Sequence, residues 1–187
     1  MPESDGLNLP DTVKDVGIAI GSVVIVFLLT FAYSGNWPPM VVIESGSMEH
    51  DDNPLYPEPR YSHIGIIDTG DLVVVKKAEK KDIVTYLEGK KTDYKKYGDY
   101  GDVIVYYKNG IKTYDGQPVT PVIHRAMAWV DVLENGTYYI PEINLYFEGK
   151  IILSEIGLPD AAHSLSNLES SGYITKGDSY PGNRFPD

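Results

Sequence analysis

No cysteine occurs among the 187 residues, so the chain can build no disulfide framework, thiol nucleophile or zinc–thiolate site. Positive charge is scarce too: 16 Lys and Arg stand against 27 Asp and Glu, a net charge of −11. Phosphate recognition needs a basic face, which argues against nucleic acid as a partner. Phenylalanine (4) and tryptophan (2) are few, whereas tyrosine reaches 15. Together with the many valines and isoleucines, that balance favours a β-rich body with half-wet faces. At this length the chain can bury one core and carry a small appendage. Long apolar runs are missing with one exception, and that exception organises the chain.

From residue 16 to residue 33 no side chain is charged. In a helix these 18 residues cover about 27 Å, close to the roughly 30 Å hydrocarbon core of a bilayer, and Tyr33 and Trp37 follow where an interfacial aromatic belt would lie. The expected organisation is a disordered leader over 1–15, a transmembrane anchor over 16–36 and a β-rich domain over 37–187. A cleavable signal peptide is the competing reading, but it calls for a basic leader and a shorter apolar core. Here the leader is mostly acidic. Lys14 is the one Lys or Arg close to either end of the run, which leans towards an inside N-terminus.

Beyond the anchor, Gly35, Pro38 and Pro39 stop the helix and a strand is expected over 40–44. Residues 49–62 are rich in Pro, Asp and Asn and read as a surface excursion. Gly70-Asp71 precedes a β-branched strand over 72–75, and the charged, tyrosine-rich residues 76–100 read as a surface insertion, helical or looped. Gly101-Asp102 repeats the turn before a strand, and Asn109-Gly110 gives a hairpin signal. Strands follow over 121–130, over 137–140 after Asn135-Gly136, and over 172–176, with a short helix expected within 159–168. The fold class is therefore mainly β and antiparallel, with one N-terminal helix and short surface helices.

Chemistry concentrates where the first strand runs into Ser45-Gly46-Ser47-Met48. A β-branched run ending in such a turn can hold one hydroxyl at the mouth of a sheet, with Gly46 allowing a close backbone approach. A serine needs a base within hydrogen-bond reach. His50 and His63 fall in the irregular excursion and His163 in a polar stretch, so only His124 sits inside a strand. Taken singly, Ser-Gly-Ser is most often a polar turn, and a strand histidine is most often structural.

Taken together, the apolar run, Ser45-Gly46-Ser47-Met48, Gly70-Asp71-Leu72-Val73-Val74, Gly101-Asp102-Val103-Ile104-Val105-Tyr106, Val122-Ile123-His124-Arg125 and Thr175-Lys176-Gly177-Asp178 resemble the type I signal peptidases. Histidine at position 124, where bacterial members carry lysine, resembles the archaeal and endoplasmic-reticulum branch. The resemblance covers most of the chain and implies a signal-peptidase-like antiparallel β body. It also implies a membrane-anchored serine endopeptidase that removes signal peptides on the extracytoplasmic side of the cell or reticulum membrane, without a cofactor or metal. Implied partners are signal peptides of exported precursors, the lipid membrane and the protein-export machinery.

By that resemblance Ser47 is the nucleophile and His124 the general base. The Ser45 hydroxyl and the Ser47 backbone N–H form the oxyanion hole, a donor there typically contributing about 3 kcal/mol. Imidazole suits the task, since its unperturbed pKa near 6.5 lets it accept a proton at neutral pH. The orienting acid fits less closely. In the family a Gly-Asp-Asn-Asn turn is followed, six residues after its Asp, by a second acid. Here the turn reads Gly177-Asp178-Ser179-Tyr180 and the sixth residue on is Arg184. Asp187 fits as the orienting acid if Pro181-Gly182-Asn183 is an insertion, with Asp178 auxiliary; Asp71 and Asp102 read as turn residues. Glu44, unusual beside an oxyanion site, is expected to point away. An extended substrate beside the strand leading to Ser45 would present positions −1 and −3 to shallow pockets that admit small residues. Two rival readings are an anchored β domain with a binding or scaffold role, and a serine–lysine self-cleaving protease. The second needs a lysine in a strand near Ser47, whereas the lysines cluster in polar segments.

Overall fold

A computed structural model describes residues 10–50, 65–159 and 163–179. The chain divides into two compact units, residues 1–41 with 72–77, and residues 42–71 with 78–187.

In the first unit, helix α1 (Asp11–Ser34) runs for 24 residues, its most apolar window has a mean hydropathy of 2.4, and none of that window is buried in protein. At about 1.5 Å per residue it is long enough to cross a bilayer, and the same length and composition suit a signal sequence. Its polar side chains turn inward on the helix: the Ser22 and Thr30 hydroxyls donate to the carbonyls of Ile18 and Val26 at 2.7 and 2.8 Å. Gly35 ends it in the left-handed region (φ 64°), its N–H returning to the Phe31 carbonyl, a conformation glycine adopts without cost. Residues 11–15, expected in the disordered leader, are instead helical. Asp11 in the first turn complements the positive end of the helix dipole, which extends the helix beyond the uncharged run. Strands β1 (Met40–Val42) and β2 (Leu72–Val74) then pair, and Val75 N–H to Pro39 O and Lys77 N–H to Ser34 O continue the pairing at 3.0 and 2.8 Å.

Among the described residues, the second unit is an antiparallel β body with one short α-helix. In chain order it contains α2 (Tyr86–Thr92), β3 (Lys95–Lys96), β4 (Asp99–Tyr100), β5 (Val103–Tyr106), β6 (Thr113–Tyr114), β7 (Gln117–Pro118), β8 (Val122–Val132), β9 (Thr137–Ile140), β10 (Leu145–Glu148), β11 (Lys150–Ile152), β12 (Ser164–Ser166) and β13 (Gly172–Lys176). The 11-residue β8 is the spine. One of its edges pairs with β13, Lys176 opposite Arg125 and Gly172 opposite Val130. The other edge pairs with β5 at its start, Ile104 opposite His124, and with β9 at its end, Asp131 opposite Tyr139. Where neither partner reaches, the Trp129 N–H donates to the Glu142 carboxylate at 2.7 Å, so the ladder stays satisfied.

The core gathers Met127, Ala128 and Val130 of β8 with Tyr138, Ile140, Ile151, Leu153, Ile156, Leu158 and Ile174. Tyr86 and Leu87 of α2 belong to it as well. Residues 76–100 are thus more than the surface insertion expected from their charge: α2 buries one face while its lysines stay in water. Thr85 caps that helix, accepting from Glu88 N–H at 3.3 Å. The helix expected within 159–168 is replaced at 164–166 by β12, which pairs with β11, Leu165 opposite Ile151. The alternation Ser-Leu-Ser packs Leu165 against the core, a period-2 pattern too short to stand out in the sequence.

Candidate active site

The chain leaves β1 and folds Gly46–Met48 into a single 3₁₀ turn after Ser45 in extended backbone (φ −127°, ψ 146°). A Cβ at Gly46 would lie 2.6 Å from the Glu49 carboxylate, which a larger residue would have to push aside. That carboxylate accepts from the Thr69 N–H at 3.1 Å. Met48 anchors the turn, being 1% exposed; full burial of such a side chain contributes about 1.5 to 3 kcal/mol. Glu44 is solvent-exposed.

The turn brings Ser47 to the N-terminal end of β8. Its hydroxyl donates to the Ile123 carbonyl at 3.1 Å, one residue before His124, across 76 positions of sequence. The Ser45 hydroxyl lies 3.2 Å from the Ser47 hydroxyl. His124 is 7% exposed and faces Ile104 in the register of β5. Ser45, Ser47 and the strand of His124 are therefore neighbours.

Beyond β13 the chain passes Gly177 and reaches the same place. Ser179 N–H donates to the Ser47 carbonyl at 3.0 Å. Asp178, 5% exposed, meets two partners. One is Arg125, whose Nε donates to Oδ1 at 3.0 Å and whose Nη2 donates to Oδ2. The other is His50, whose Nε2 lies 3.2 Å from Oδ2. A carboxylate only accepts, so Nε2 carries the proton. Burial alone would raise the Asp178 carboxyl. Hydrogen bonds from His50 and Arg125, with the guanidinium charge, outweigh it and hold the group below its ordinary value.

Arg125 is 1% exposed and fully engaged. Besides Asp178, its Nη1 donates to the carbonyls of Lys96 and Gly101 at 2.9 and 3.0 Å, and its Nη2 to that of Tyr97 at 3.1 Å. All five guanidinium N–H groups have acceptors. The tight β3–β4 hairpin supplies two of them, the carbonyls of Lys96 and Tyr97. Gly98 within it has φ +84°, and a Cβ there would come 2.8 Å from Cε1 of His50.

The structure thus brings together Ser45, Ser47 and the His124 strand, and it puts Asp178 on His50 and Arg125. Asp187, His63 and residues 51–62 of the expected excursion lie outside the described residues. Asp71 and Asp102 act as structural caps: Asp71 accepts from the Asp68 N–H at 3.0 Å, and Asp102 from the Val84 N–H at 2.8 Å and the Tyr94 hydroxyl at 2.9 Å. His50 is the member that sequence reasoning missed. It opens a polar stretch, and its burial depends on Asp178, 128 residues away. Among the described residues no group of three or more His, Asp or Glu side chains is placed to hold a metal ion. The chain matches no protein-family model, no curated protein and no solved structure.

Proposed function

We propose that the protein is a membrane-anchored serine endopeptidase of the signal-peptidase type, with Ser47 as nucleophile and His124 as general base. One observation carries the reading. The Ser47 hydroxyl is hydrogen-bonded at 3.1 Å to the carbonyl that directly precedes His124, so the proposed nucleophile lies against the strand that bears the imidazole. In the reaction His124 takes the Ser47 proton as Oγ bonds to the scissile carbonyl carbon. The oxyanion is held by the Ser47 N–H and the Ser45 hydroxyl. As the C–N bond breaks, His124 returns the proton to the departing amine, leaving an ester on Ser47. Water, deprotonated by His124, then releases the new carboxyl terminus and restores the hydroxyl.

On this reading α1 is a retained anchor, the β body lies on the extracytoplasmic side, and the substrates are exported precursors cut after small residues at −1 and −3. The test is cleavage of a signal-peptide-bearing precursor by the detergent-solubilised full chain. Wild type should cut at one bond, whereas Ser47→Ala and His124→Ala should each lose at least about a thousandfold in kcat. Normal cleavage by either variant ends the reading. A second reading, an anchored β domain with a binding or scaffold role, draws support from Asp178, whose carboxylate is engaged by His50 and Arg125. A wild-type protein that is folded, binds precursors and cuts none would favour it.

A further inference from the structure

The chemistry above gives His50 no part, yet His50 is 4% exposed and lies three residues after the nucleophile. A histidine among polar residues would normally keep its ring in water. This one is drawn in by two features of other segments, the Asp178 carboxylate at 3.2 Å and the bare backbone of Gly98.

We propose that His50 is a positioning residue which, through Asp178, fixes the Ser47 turn against the strand that carries His124. The proposal rests on the peptidase reading. Residues 47–50 are gripped at both ends by two consecutive residues: Ser179 N–H holds the Ser47 carbonyl at 3.0 Å, and Asp178 holds the His50 ring. The same carboxylate binds Arg125 through Oδ1 at 3.0 Å, and Arg125 adjoins His124. Asp178 is thus the junction between the nucleophile's turn and the base's strand, and His50 is the link on the nucleophile's side. Near-attack geometry is demanding, and a misplacement of about 1 Å can cost about a hundredfold in rate. Losing the His50 link would leave the turn tied at Ser47 and, through the less buried Glu49 carboxylate, to the Thr69 N–H, with Met48 as its deep anchor among the described residues. Glutamine can place an N–H close to where Nε2 stands; alanine cannot.

The experiment compares wild type, His50→Gln and His50→Ala as full-length chains in detergent, by kcat and KM on a signal-peptide precursor and by hydrogen exchange. For His50→Ala we expect kcat to fall by about thirtyfold or more with KM within about threefold. Exchange over residues 45–50 and at Ser179 should speed up by about tenfold or more, while β8 stays protected. His50→Gln should stay within about fivefold of wild type in both. Loss of protection in β8 would show that His50→Ala has unfolded. His50→Asn, polar but too short to reach the Nε2 position, then takes its place with the same expectation. The proposal is overturned if the alanine variant keeps wild-type kcat and exchange, or if glutamine and alanine fall equally. A wild type that cuts nothing sinks the peptidase reading instead, and the exchange comparison still decides whether His50 fixes the turn.

Discussion

Replacing Arg125 by Met should be among the most damaging single changes in the β body. The guanidinium is 1% exposed, and methionine fills part of its volume without any donor. Asp178 would then remain buried with His50 as its described partner, and the carbonyls of Lys96, Tyr97 and Gly101 would lose theirs. Removing one partner of a buried ion pair costs about 3 to 5 kcal/mol, because an uncompensated charge is left behind. The hairpin carbonyls can in part turn to water, so we expect the loss to stay within that range. For a domain of this size it corresponds to a fall of about 6 to 20 °C in Tm. Asp178→Asn should cost a similar amount from the other side. The double variant should fall short of the sum by at least about 2 kcal/mol, since each change removes the reason for the other's penalty. Urea unfolding followed by tryptophan fluorescence, with Trp129 in β8 as reporter, measures the cycle. A loss below about 1 kcal/mol for Arg125→Met, or strict additivity, would refute the reasoning.

Two further predictions concern the same cluster, with Gly110 as a comparison outside it. Gly98→Ala must place a side chain at φ +84° and within 2.8 Å of His50, so it should cost about 1 to 3 kcal/mol in urea unfolding. Gly110→Ala, with φ +71° and nothing within 4 Å of the new Cβ, should cost only about 1 kcal/mol. The Asp178 carboxyl is held below its ordinary value of 3.8 when folded. Its charge therefore stabilises the protein above about pH 4, and that contribution disappears as pH falls through the lower folded value. Unfolding free energies measured from pH 6 downward should drop more steeply below pH 4 for wild type than for Asp178→Asn.

Much of this architecture was legible from local chemistry. The β-branched strands after Gly-Asp turns, the apolar run and the Asn-Gly turn at 135–136 all follow from pattern and turn propensity, which act within a few residues. The approach of Ser47 to the strand of His124 was legible only through a set of motifs in order. What escaped was set by distant partners. Leu165 becomes a strand residue because β11 is there to pair with it, and α2 buries Tyr86 and Leu87 despite the charge around them. His50 is buried because Asp178 and Gly98 both close on its ring. Asp178 looked like an acid for His124 in sequence, and in the fold it ties His50 to Arg125. Arg125 entered the sequence reading only as the residue after His124, and five acceptors from other segments turn it into a core residue.

The central claim is that the Ser47 hydroxyl is made nucleophilic by His124. It is tested most directly by treating the full chain with a serine-directed fluorophosphonate and locating the adduct by mass spectrometry. Wild type should be modified at Ser47, and His124→Ala should be modified at least about a hundredfold more slowly. Equal labelling of Ser47 in both proteins, or none in a folded wild type, would contradict the account.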